Sequence, residues 1–285
     1  MTVGTYHPLR MLIVGDPGAG KTAAYGSLLK HGHRLFVADF DANMEPILQF
    51  IPEGDRAGLT FETLLDPLAF DQNLSPIPVG TPKAFRRFVE LMTVWKVQEF
   101  GPTDWLVIDT LSSMGPAVFR QILKDHKRFA KEPRVRVRQK EWAVAIERME
   151  TLLDFLKQLR CNVIATAHLQ RLTAPSVEED DDEEEGAAKK PPSKKLHMTA
   201  AQAEVFSKRY PSTLGQKLPL RIAGQFNVML QAKRLGHGAA SRYVLKTQPD
   251  DDVDIKCPVL KGPAEVEGQN LIQVVRSLRP EVKAS

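Results

Sequence analysis

The chain has 285 residues and a formal net charge of +4 at pH 7, and its 42% hydrophobic and 26% charged residues are typical of a soluble globular protein. Its apolar runs stop short of the roughly 20 residues that cross a bilayer, and its N-terminus lacks the layout of a signal peptide, so we expect no membrane partner. Cys161 and Cys257 are the only cysteines and neither belongs to a CxxC pair, which favours a reducing compartment and argues against structural zinc.

Six apolar segments predict strands, and the first four are nearly continuous in apolar residues, as strands buried on both faces are. They cover residues 9–14, 34–40, 105–109, 162–167, 226–232 and 242–247. Amphipathic patterns predict helices over 82–100 and 141–160. This alternation predicts an α/β fold with a mostly parallel central sheet flanked by helices.

Two segments interrupt the alternation. Residues 66–82 contain four prolines and predict a long surface loop. Residues 171–205 contain EEDDDEEE and then KKPPSKK, a composition that buries little apolar area and predicts a disordered acidic and basic insert. We therefore expect a core over 1–170, the insert over 171–205, and strands of the same core over 206–285.

The segment GDPGAGKT, at residues 15–22, matches the P-loop pattern GxxxxGK[ST]. Glycines let the backbone curl until successive N–H groups face phosphate oxygens, and a helix that begins near the lysine adds the positive end of its dipole. In this pattern Lys21 reaches the β- and γ-phosphates and Thr22 offers its hydroxyl to Mg²⁺. The sequence predicts that a nucleoside triphosphate is bound by Gly15, Asp16, Pro17, Gly18, Ala19, Gly20, Lys21 and Thr22.

A P-loop needs a carboxylate that holds the metal directly or through water. Asp109 ends the apolar run of DWLVIDTLSS, at the carboxyl edge where open α/β sheets bind ligands. We expect Asp109 to hold Mg²⁺ together with Thr22. The alternative is a strand-terminal aspartate that only caps a turn.

Two further strand ends supply candidates for hydrolysis. Asp39 and Asp41 in RLFVADFDANMEP share one face of a strand, and Asp41, nearer the strand end, is the better candidate for the base that orients or deprotonates water. Glu45 is the second choice for that role. His168 ends NVIATAHLQR and is a candidate sensor of the γ-phosphate. Ordinary turn and strand-end hydrogen bonds remain the alternatives.

These motifs, in this order, resemble the RecA-like ATPases, and within them the phage-encoded nucleotide-binding proteins of the Sak type, which are single-strand annealing recombinases. The segments that carry the resemblance span about residues 9–250. They are GDPGAGKT, LFVADFD, DWLVIDTLSS, EWAVAIERMETLLDFLKQLR, NVIATAH, YPSTLGQKLPLRIAGQFNVML and RYVLKTQPD.

The resemblance implies a DNA-stimulated ATPase that uses ATP and Mg²⁺ and acts on single-stranded DNA in recombination, repair or replication. It implies a ring or short filament of identical subunits, a single-strand-binding protein as a candidate partner, and the cytoplasm of a bacterial or phage-infected cell. It assigns Lys21 and Thr22 to phosphate and metal, Asp109 to the metal, Asp41 to the base and His168 to the sensor. The family often has Glu at the base position, where this chain has the shorter Asp41.

The first strand starts near residue 9, which leaves little room for the N-terminal extension that docks filament-forming relatives. The segment after the sensor strand, a DNA loop in the family, holds eight consecutive acids that would repel phosphates. A solvated linker is the simplest interpretation of this acidic run. An autoinhibitory mimic of DNA and a charged docking segment for a partner are alternatives.

A basic segment at residues 120–140 follows the metal-binding strand, where the family has its other DNA loop. We expect it to bind single-stranded DNA, with Phe119, Phe129 and Trp142 available to stack on bases. A solvated helix or a subunit contact is the alternative. The candidate DNA ligands are Arg120, Lys124, Lys127, Arg128, Lys131, Arg134, Arg136, Arg138 and Lys140.

Four late basic residues are candidates for a cation that a neighbouring subunit inserts at the ATP site. They are Lys233, Arg234, Arg242 and Lys246, and the sequence does not choose among them. Two other functions remain open. One is a P-loop kinase of small molecules or nucleotides, and the other is a nucleotide-dependent loader or regulator that barely hydrolyses.

Overall fold

The computed structural model describes residues 7–70, 72, 76–126, 139–172, 205, 207–215, 217–258 and 263–279. In this part of the chain the strands are β1 (Arg10–Val14), β2 (Arg34–Asp39), β3 (Leu59–Thr63), β4 (Leu68–Phe70), β5 (Pro76–Pro78), β6 (Asp104–Asp109), β7 (Asn162–Ala167), β8 (Leu169–Arg171), β9 (Arg209–Pro211), β10 (Val228–Leu235), β11 (Arg242–Lys246) and β12 (Glu265–Glu267). The helices are α1 (Lys21–Gly26), α2 (Glu45–Phe50), α3 (Ala84–Val94), α4 (Leu111–Asp125), α5 (Gln139–Gln158), α6 (Lys217–Ile222) and α7 (Leu271–Leu278).

Eight of the described strands form one sheet in the order β12-β11-β10-β1-β7-β6-β2-β3. The six strands from β10 to β3 run parallel, whereas β11 is antiparallel to β10 and β12 is antiparallel to β11. The predicted fold class, a mostly parallel central sheet flanked by helices, is confirmed. Because the carboxyl ends of β1, β2, β6 and β7 meet at one edge, the polar residues that follow them are brought together there.

The central strands of the sheet are buried on both faces, and because side chains alternate along a strand they pack into two cores. Leu12 and Val14 of β1 face a core that includes α3, α4 and α5, whereas Met11 and Ile13 face a second core with α1 and α7. Trp105 of β6, fully buried in the second core, donates its indole N–H to His33 Nδ1 at 3.2 Å. The two cores hold the sheet between the helices and so position the edge at which the candidate site lies.

The predicted helix over 82–100 is shorter than expected. It begins at Ala84, because Asp66 Oδ1 accepts the N–H groups of Lys83 and Ala84 at 2.8 and 2.9 Å. It ends before Lys96, which adopts a left-handed φ of 53° and starts a separate 3-10 turn. The preceding proline-rich stretch, expected as an irregular loop, contains the short antiparallel pair β4 and β5.

The predicted insert over 171–205 falls almost entirely outside the described residues, so its disorder stays a prediction. Strands β8 and β9 lie on either side of it in sequence and pair antiparallel, with Arg171 opposite Arg209. Strand β10, from the later part of the chain, pairs directly with β1. None of the described helices is both long enough and apolar enough to cross a bilayer.

Candidate active site

The P-loop connects β1 to α1 at the carboxyl edge of the sheet. Gly18 and Gly20 adopt φ values of 71° and 83°, a left-handed region that glycine enters without steric cost. The Ala19 N–H donates to the Asp16 carbonyl at 3.1 Å and closes the turn. A side chain at Gly15 would overlap the carbonyl of Ala232 on β10. The glycine spacing therefore matches the curl of the loop and its close packing on the sheet.

Lys21 folds back over the loop and is 5% exposed. Its ammonium lies 3.0 Å from the carbonyl oxygens of Gly15 and Asp16 and 3.1 Å from Nδ1 of His168. Burial lowers the pKa of Lys21, and the charges of Asp109, then Asp41 and Asp16, offset part of that shift. The ammonium is thus held at the mouth of the loop by acceptors that a phosphate would replace.

Asp109 and Thr22 lie in contact, as a shared metal site requires. Thr22 Oγ1 donates to Asp109 Oδ2 at 2.8 Å, and Asp109 is 2% exposed. The Tyr25 hydroxyl donates to the same Oδ2 at 2.7 Å, and Thr166 Oγ1 donates to Oδ1. Complete burial, followed by the charge of Asp109, raises the pKa of Tyr25 well above its ordinary value. The carboxylate is therefore oriented by three hydroxyls.

The residues present fit Mg²⁺ bound together with a nucleotide. A hydroxyl and a carboxylate are hard oxygen ligands, and Mg²⁺ is commonly held by one or two carboxylates, waters and substrate phosphates. Among the described residues no group of three or more His, Cys, Asp or Glu could bind a metal by itself. Thr22 and Asp109 would therefore hold the ion only in partnership with phosphate oxygens.

Asp41 and His168, predicted from two different strand ends, are brought together. His168 Nε2 lies 3.4 Å from Asp41 Oδ2, and Ser113 Oγ donates to Asp41 Oδ1. Since the Lys21 ammonium donates to Nδ1, the neutral imidazole with its proton on Nε2 satisfies both contacts. Burial by itself raises the pKa of Asp41, but hydrogen bonds from His168 and Ser113 outweigh it and hold this pKa below its ordinary value.

The other two candidate acids lie elsewhere. The Asp39 carboxylate accepts the N–H groups of Asp41 and Asn43 and the hydroxyl of Thr63, so it shapes the turn after β2. Glu45 accepts the amide of Gln49 on the exposed side of α2. Asp41 lines the cavity next to the P-loop, whereas Asp39 and Glu45 do not.

A cavity of about 1000 Å³ extends from the P-loop towards α2 and the β11–β12 end of the sheet. Beyond Lys21, Asp109 and His168 it is lined by Pro46, Phe50, Tyr243, Gly268 and Gln269, among others. The rings of Phe50 and Tyr243 are 66% and 37% exposed, and they offer flat apolar surfaces to a base. The sequence motifs predicted neither this wall nor the roles of Tyr25 and Thr166.

The four candidate trans cations all have partners within the same chain. Lys246 and Lys233 approach Asp250 at 2.8 and 3.7 Å. Arg234 contacts the hydroxyl of Ser241 and the ring of Tyr243. Arg242 pairs with Glu267 at 2.6 Å and lines the cavity of its own chain.

The basic segment is partly described, and one candidate ligand, Arg120, and one candidate stacking residue, Phe119, have partners within the fold. Arg120 pairs with the buried carboxylate of Asp66 at 3.2 Å, so its guanidinium neutralises a buried charge of the fold. Phe119 is 8% exposed and packs edge-on against Trp142, which leaves its ring unable to stack on a base. Lys124 lies near the C-terminal end of α4, and Lys140 lies near the N-terminal end of α5. Lys127, Arg128, Phe129, Lys131, Arg134, Arg136 and Arg138 lie outside the described residues.

A family model described as an AAA domain matches residues 7–258. The chain belongs to this AAA domain family. With the mostly parallel sheet and the P-loop contacts already described, the match identifies a RecA-like P-loop ATPase. The predicted superfamily is thereby confirmed. No curated protein matches the chain at a significant level.

Solved structures with a similar course of the chain are distant in sequence. A KaiC-like protein from Pyrococcus horikoshii is 11% identical, with 84% of this chain and 77% of that one covered and a TM-score of 0.38. The RadB recombinase is 14% identical, with 86% of both chains covered and a TM-score of 0.40. The flagellar accessory protein FlaH from Methanocaldococcus jannaschii is 8% identical, with 92% and 84% covered and a TM-score of 0.40.

Proposed function

We propose that this ATPase binds ATP with Mg²⁺ in the cavity beside the P-loop, hydrolyses it, and acts on single-stranded DNA in phage-type recombination, repair or replication. The observation that carries the nucleotide site is the contact between Thr22 and Asp109, 2.8 Å apart, beside the buried ammonium of Lys21. The groups that would bind the phosphates and the metal ion therefore lie within one pocket.

Each residue has a defined task in this proposal. Bound Mg²⁺ would neutralise charge on the phosphate oxygens. Lys21 exchanges its present carbonyl and imidazole acceptors for phosphate oxygens, and its charge stabilises the leaving phosphate. Asp41, a carboxylate at neutral pH, accepts a hydrogen bond from the attacking water and orients it. His168 contacts Lys21 through one ring nitrogen and Asp41 through the other, so it couples the position of Lys21 at the phosphate to the position of Asp41.

ATP turnover with Mg²⁺ tests the hydrolytic part of the proposal. Lys21→Ala removes the phosphate-binding charge and is expected to lower kcat/KM by about 10²- to 10³-fold, the loss typical of one preorganised charge-stabilising donor. Lys157→Ala is the matched control, because Lys157 makes an exposed pair with Asp154 on α5. Equal turnover by wild type and Lys21→Ala would contradict the proposal.

The DNA part is supported by the concentration of positive charge at residues 120–140, from which Arg120 is withdrawn by Asp66. Turnover titrated with single-stranded oligonucleotides tests it, and a P-loop kinase would show no response to DNA. Affinity should also fall steeply with salt, because each phosphate contact releases counterions. Binding that is unchanged between low and moderate salt would contradict a phosphate-tracking surface.

A slow nucleotide-dependent loader or regulator is the second candidate function. It is favoured by the state of Asp41, because a carboxylate with a lowered pKa and two hydrogen-bonded partners is a weak proton acceptor. Comparison of a single turnover with phosphate release under excess ATP separates the two candidates. A cycling ATPase releases phosphate repeatedly, whereas a regulator binds tightly and converts about one equivalent over the same time.

Assembly into a ring or short filament, with a single-strand-binding protein as a partner, is also part of the proposal. The cation from a neighbouring subunit is expected among Lys233, Arg234 and Lys246, since Arg242 already lines the cavity of its own chain. Specific turnover should then rise with protein concentration. Mixing a cation variant with Lys21→Ala should restore some activity, because one composite site in the mixture is intact.

A further inference from the structure

We propose that Gln269 is a positioning residue for the phosphate loop. Its side-chain amide fixes the peptide between Ala19 and Gly20, so that the Gly20 N–H is presented to the nucleotide phosphates. This inference rests on the proposed nucleotide binding. It adds a residue that lies outside the P-loop motif and beyond residues 7–258, the range of the family match.

Gln269 lies in the turn between β12 and α7 and is 4% exposed. Its Nε2 donates to the carbonyl of Ala19, a group 250 residues away in sequence. A side chain at Gly20 would overlap the Gln269 amide, so glycine is needed there for this contact as well as for its positive φ. The amide thus rests directly on the backbone of the P-loop.

Because the peptide bond is planar, the contact at the Ala19 carbonyl also determines where the Gly20 N–H points. In a trans peptide the carbonyl and the following N–H point in opposite directions. Holding the Ala19 oxygen therefore sets the direction of the Gly20 N–H, away from Gln269. Within the described part of the chain this N–H has no acceptor, and Gly20 lines the cavity. It is left free for a phosphate oxygen.

The elements around Gln269 hold it in place. The Gly268 N–H donates to the carbonyl of Tyr243 at 3.0 Å, which anchors the turn to β11. The Leu271 N–H donates to Ser27 Oγ at 3.0 Å, which anchors the start of α7 to the end of α1. Gln269 is therefore carried by a turn that is bonded on both sides, as a positioning residue should be.

Gln269→Glu tests the inference, because it keeps the size and backbone preference of the side chain but replaces the donor by an acceptor facing the Ala19 oxygen. Binding of magnesium adenylyl-imidodiphosphate, magnesium ADP and adenosine is measured by calorimetry. Affinity for the two phosphate-bearing ligands should fall about 10- to 100-fold, the usual cost of an unpaired buried acceptor. Affinity for adenosine should stay within about twofold.

Two further variants separate positioning from general damage. Gln269→Asn keeps the amide without adding charge but is one methylene too short, and it should show the same selective loss. Gln273→Glu makes the same charge change at an exposed position of α7, and it should bind like the wild type. Amide exchange at Gly20, followed by NMR without nucleotide, should change in the two Gln269 variants alone.

Equal affinity of wild type and Gln269→Glu for the triphosphate analogue would overturn the inference. So would an equal loss for adenosine, because Gln269 would then act as a wall of the cavity and not on the phosphate loop. If the wild type itself gives no heat with the triphosphate analogue, the proposed nucleotide binding fails, and the role of Gln269 falls with it.

Discussion

Arg209 donates to the carboxylate of Asp16 across 2.7 Å, which ties strand β9 to the second residue of the P-loop. The same guanidinium binds Asp252 through Nε at 2.6 Å. Asp16 is 59% exposed beside the place where phosphates would bind, so its negative charge opposes them unless a cation neutralises it. Arg209, which follows the acidic insert in the sequence, supplies that cation.

Removing Arg209 should weaken nucleotide binding. We expect Arg209→Ala to lower affinity for magnesium adenylyl-imidodiphosphate about two- to fivefold, since partly exposed pairs contribute up to about 1 kcal/mol. Adding Asp16→Asn in the same chain should recover part of the loss, because the unneutralised charge is then gone. Arg171→Ala is the control, since Arg171 is 68% exposed and only approaches Asp252 at 3.9 Å. An equal effect of both arginine variants would contradict this account.

Tyr25→Phe should affect both the metal and the fold. The ring keeps its buried place, but Asp109 loses one of its three hydroxyl donors. We expect the free energy of unfolding in urea to fall by about 2 kcal/mol. The Mg²⁺ concentration at half-maximal turnover should rise about tenfold or more, because a group that orients the metal ligand is lost. Tyr243→Phe, which removes a hydroxyl at the cavity rim, should leave both quantities nearly unchanged.

His168 and Asp41 should act as one unit in turnover. His168→Ala removes the imidazole that touches both Lys21 and Asp41, and Asp41→Asn removes the charge that orients water. Each variant should lower kcat about 10²- to 10⁴-fold with little change in KM, in line with a general-base contribution. The double variant should be barely worse than either single one. Fully additive losses would show that the two groups work independently.

The carboxylate of Asp250 predicts a pH dependence of stability. Partial burial raises the pKa of Asp250, but the Lys246 ammonium and two backbone N–H groups outweigh it, and the pKa is lowered to about 2. A carboxyl whose folded pKa lies below its unfolded value stabilises above the unfolded pKa, here 3.8, and loses that effect as pH falls towards 2. Asp250→Asn should cost about 1 kcal/mol above about pH 5 and progressively less as pH falls through about 2, with the exposed Asp251→Asn as control.

Substitutions at Arg120 and Lys124 should have different effects, the first on the stability of the fold and the second on DNA binding. Arg120→Ala leaves the buried Asp66 without its cation and should lower the free energy of unfolding by about 2 kcal/mol or more. Lys124→Ala should leave stability within about 0.5 kcal/mol. It should instead weaken single-stranded DNA binding and flatten the log–log salt slope by about 0.7, the value for one phosphate contact. The reverse pattern would restore Arg120 as a DNA ligand.

The parts of the site that lie in one continuous segment were predictable from sequence. The P-loop and the apolar run before Asp109 are local patterns whose spacing follows directly from a strand, a turn and a helix. Tyr25 carries a weaker local signal. It lies three residues after Thr22 in α1, and helix periodicity alone places the two on neighbouring positions of one face. Its contact with Asp109 still required the sheet order.

Contacts between distant segments had no sequence signal. Gln269 meets Ala19 across 250 residues, and nothing around either residue predicts that pairing. The partners of Phe119 and Arg120 had no sequence signal either. Both belong to a basic, aromatic stretch that suggested nucleic acid, but helix α4 turns them towards Trp142 and Asp66. Tertiary packing, which composition does not report, decided their roles.

The position of β1 between β7 and β10 also affects how the chain folds during its synthesis. The backbone N–H of Arg10 is hydrogen-bonded to the side chain of Asn227, 217 residues later in the sequence. A ribosome therefore delivers most of the polypeptide before the central strand gains its second neighbour. Long-range parallel pairing forms slowly and leaves apolar edges exposed in the meantime. We expect newly synthesised chains to engage chaperones until their last third has emerged.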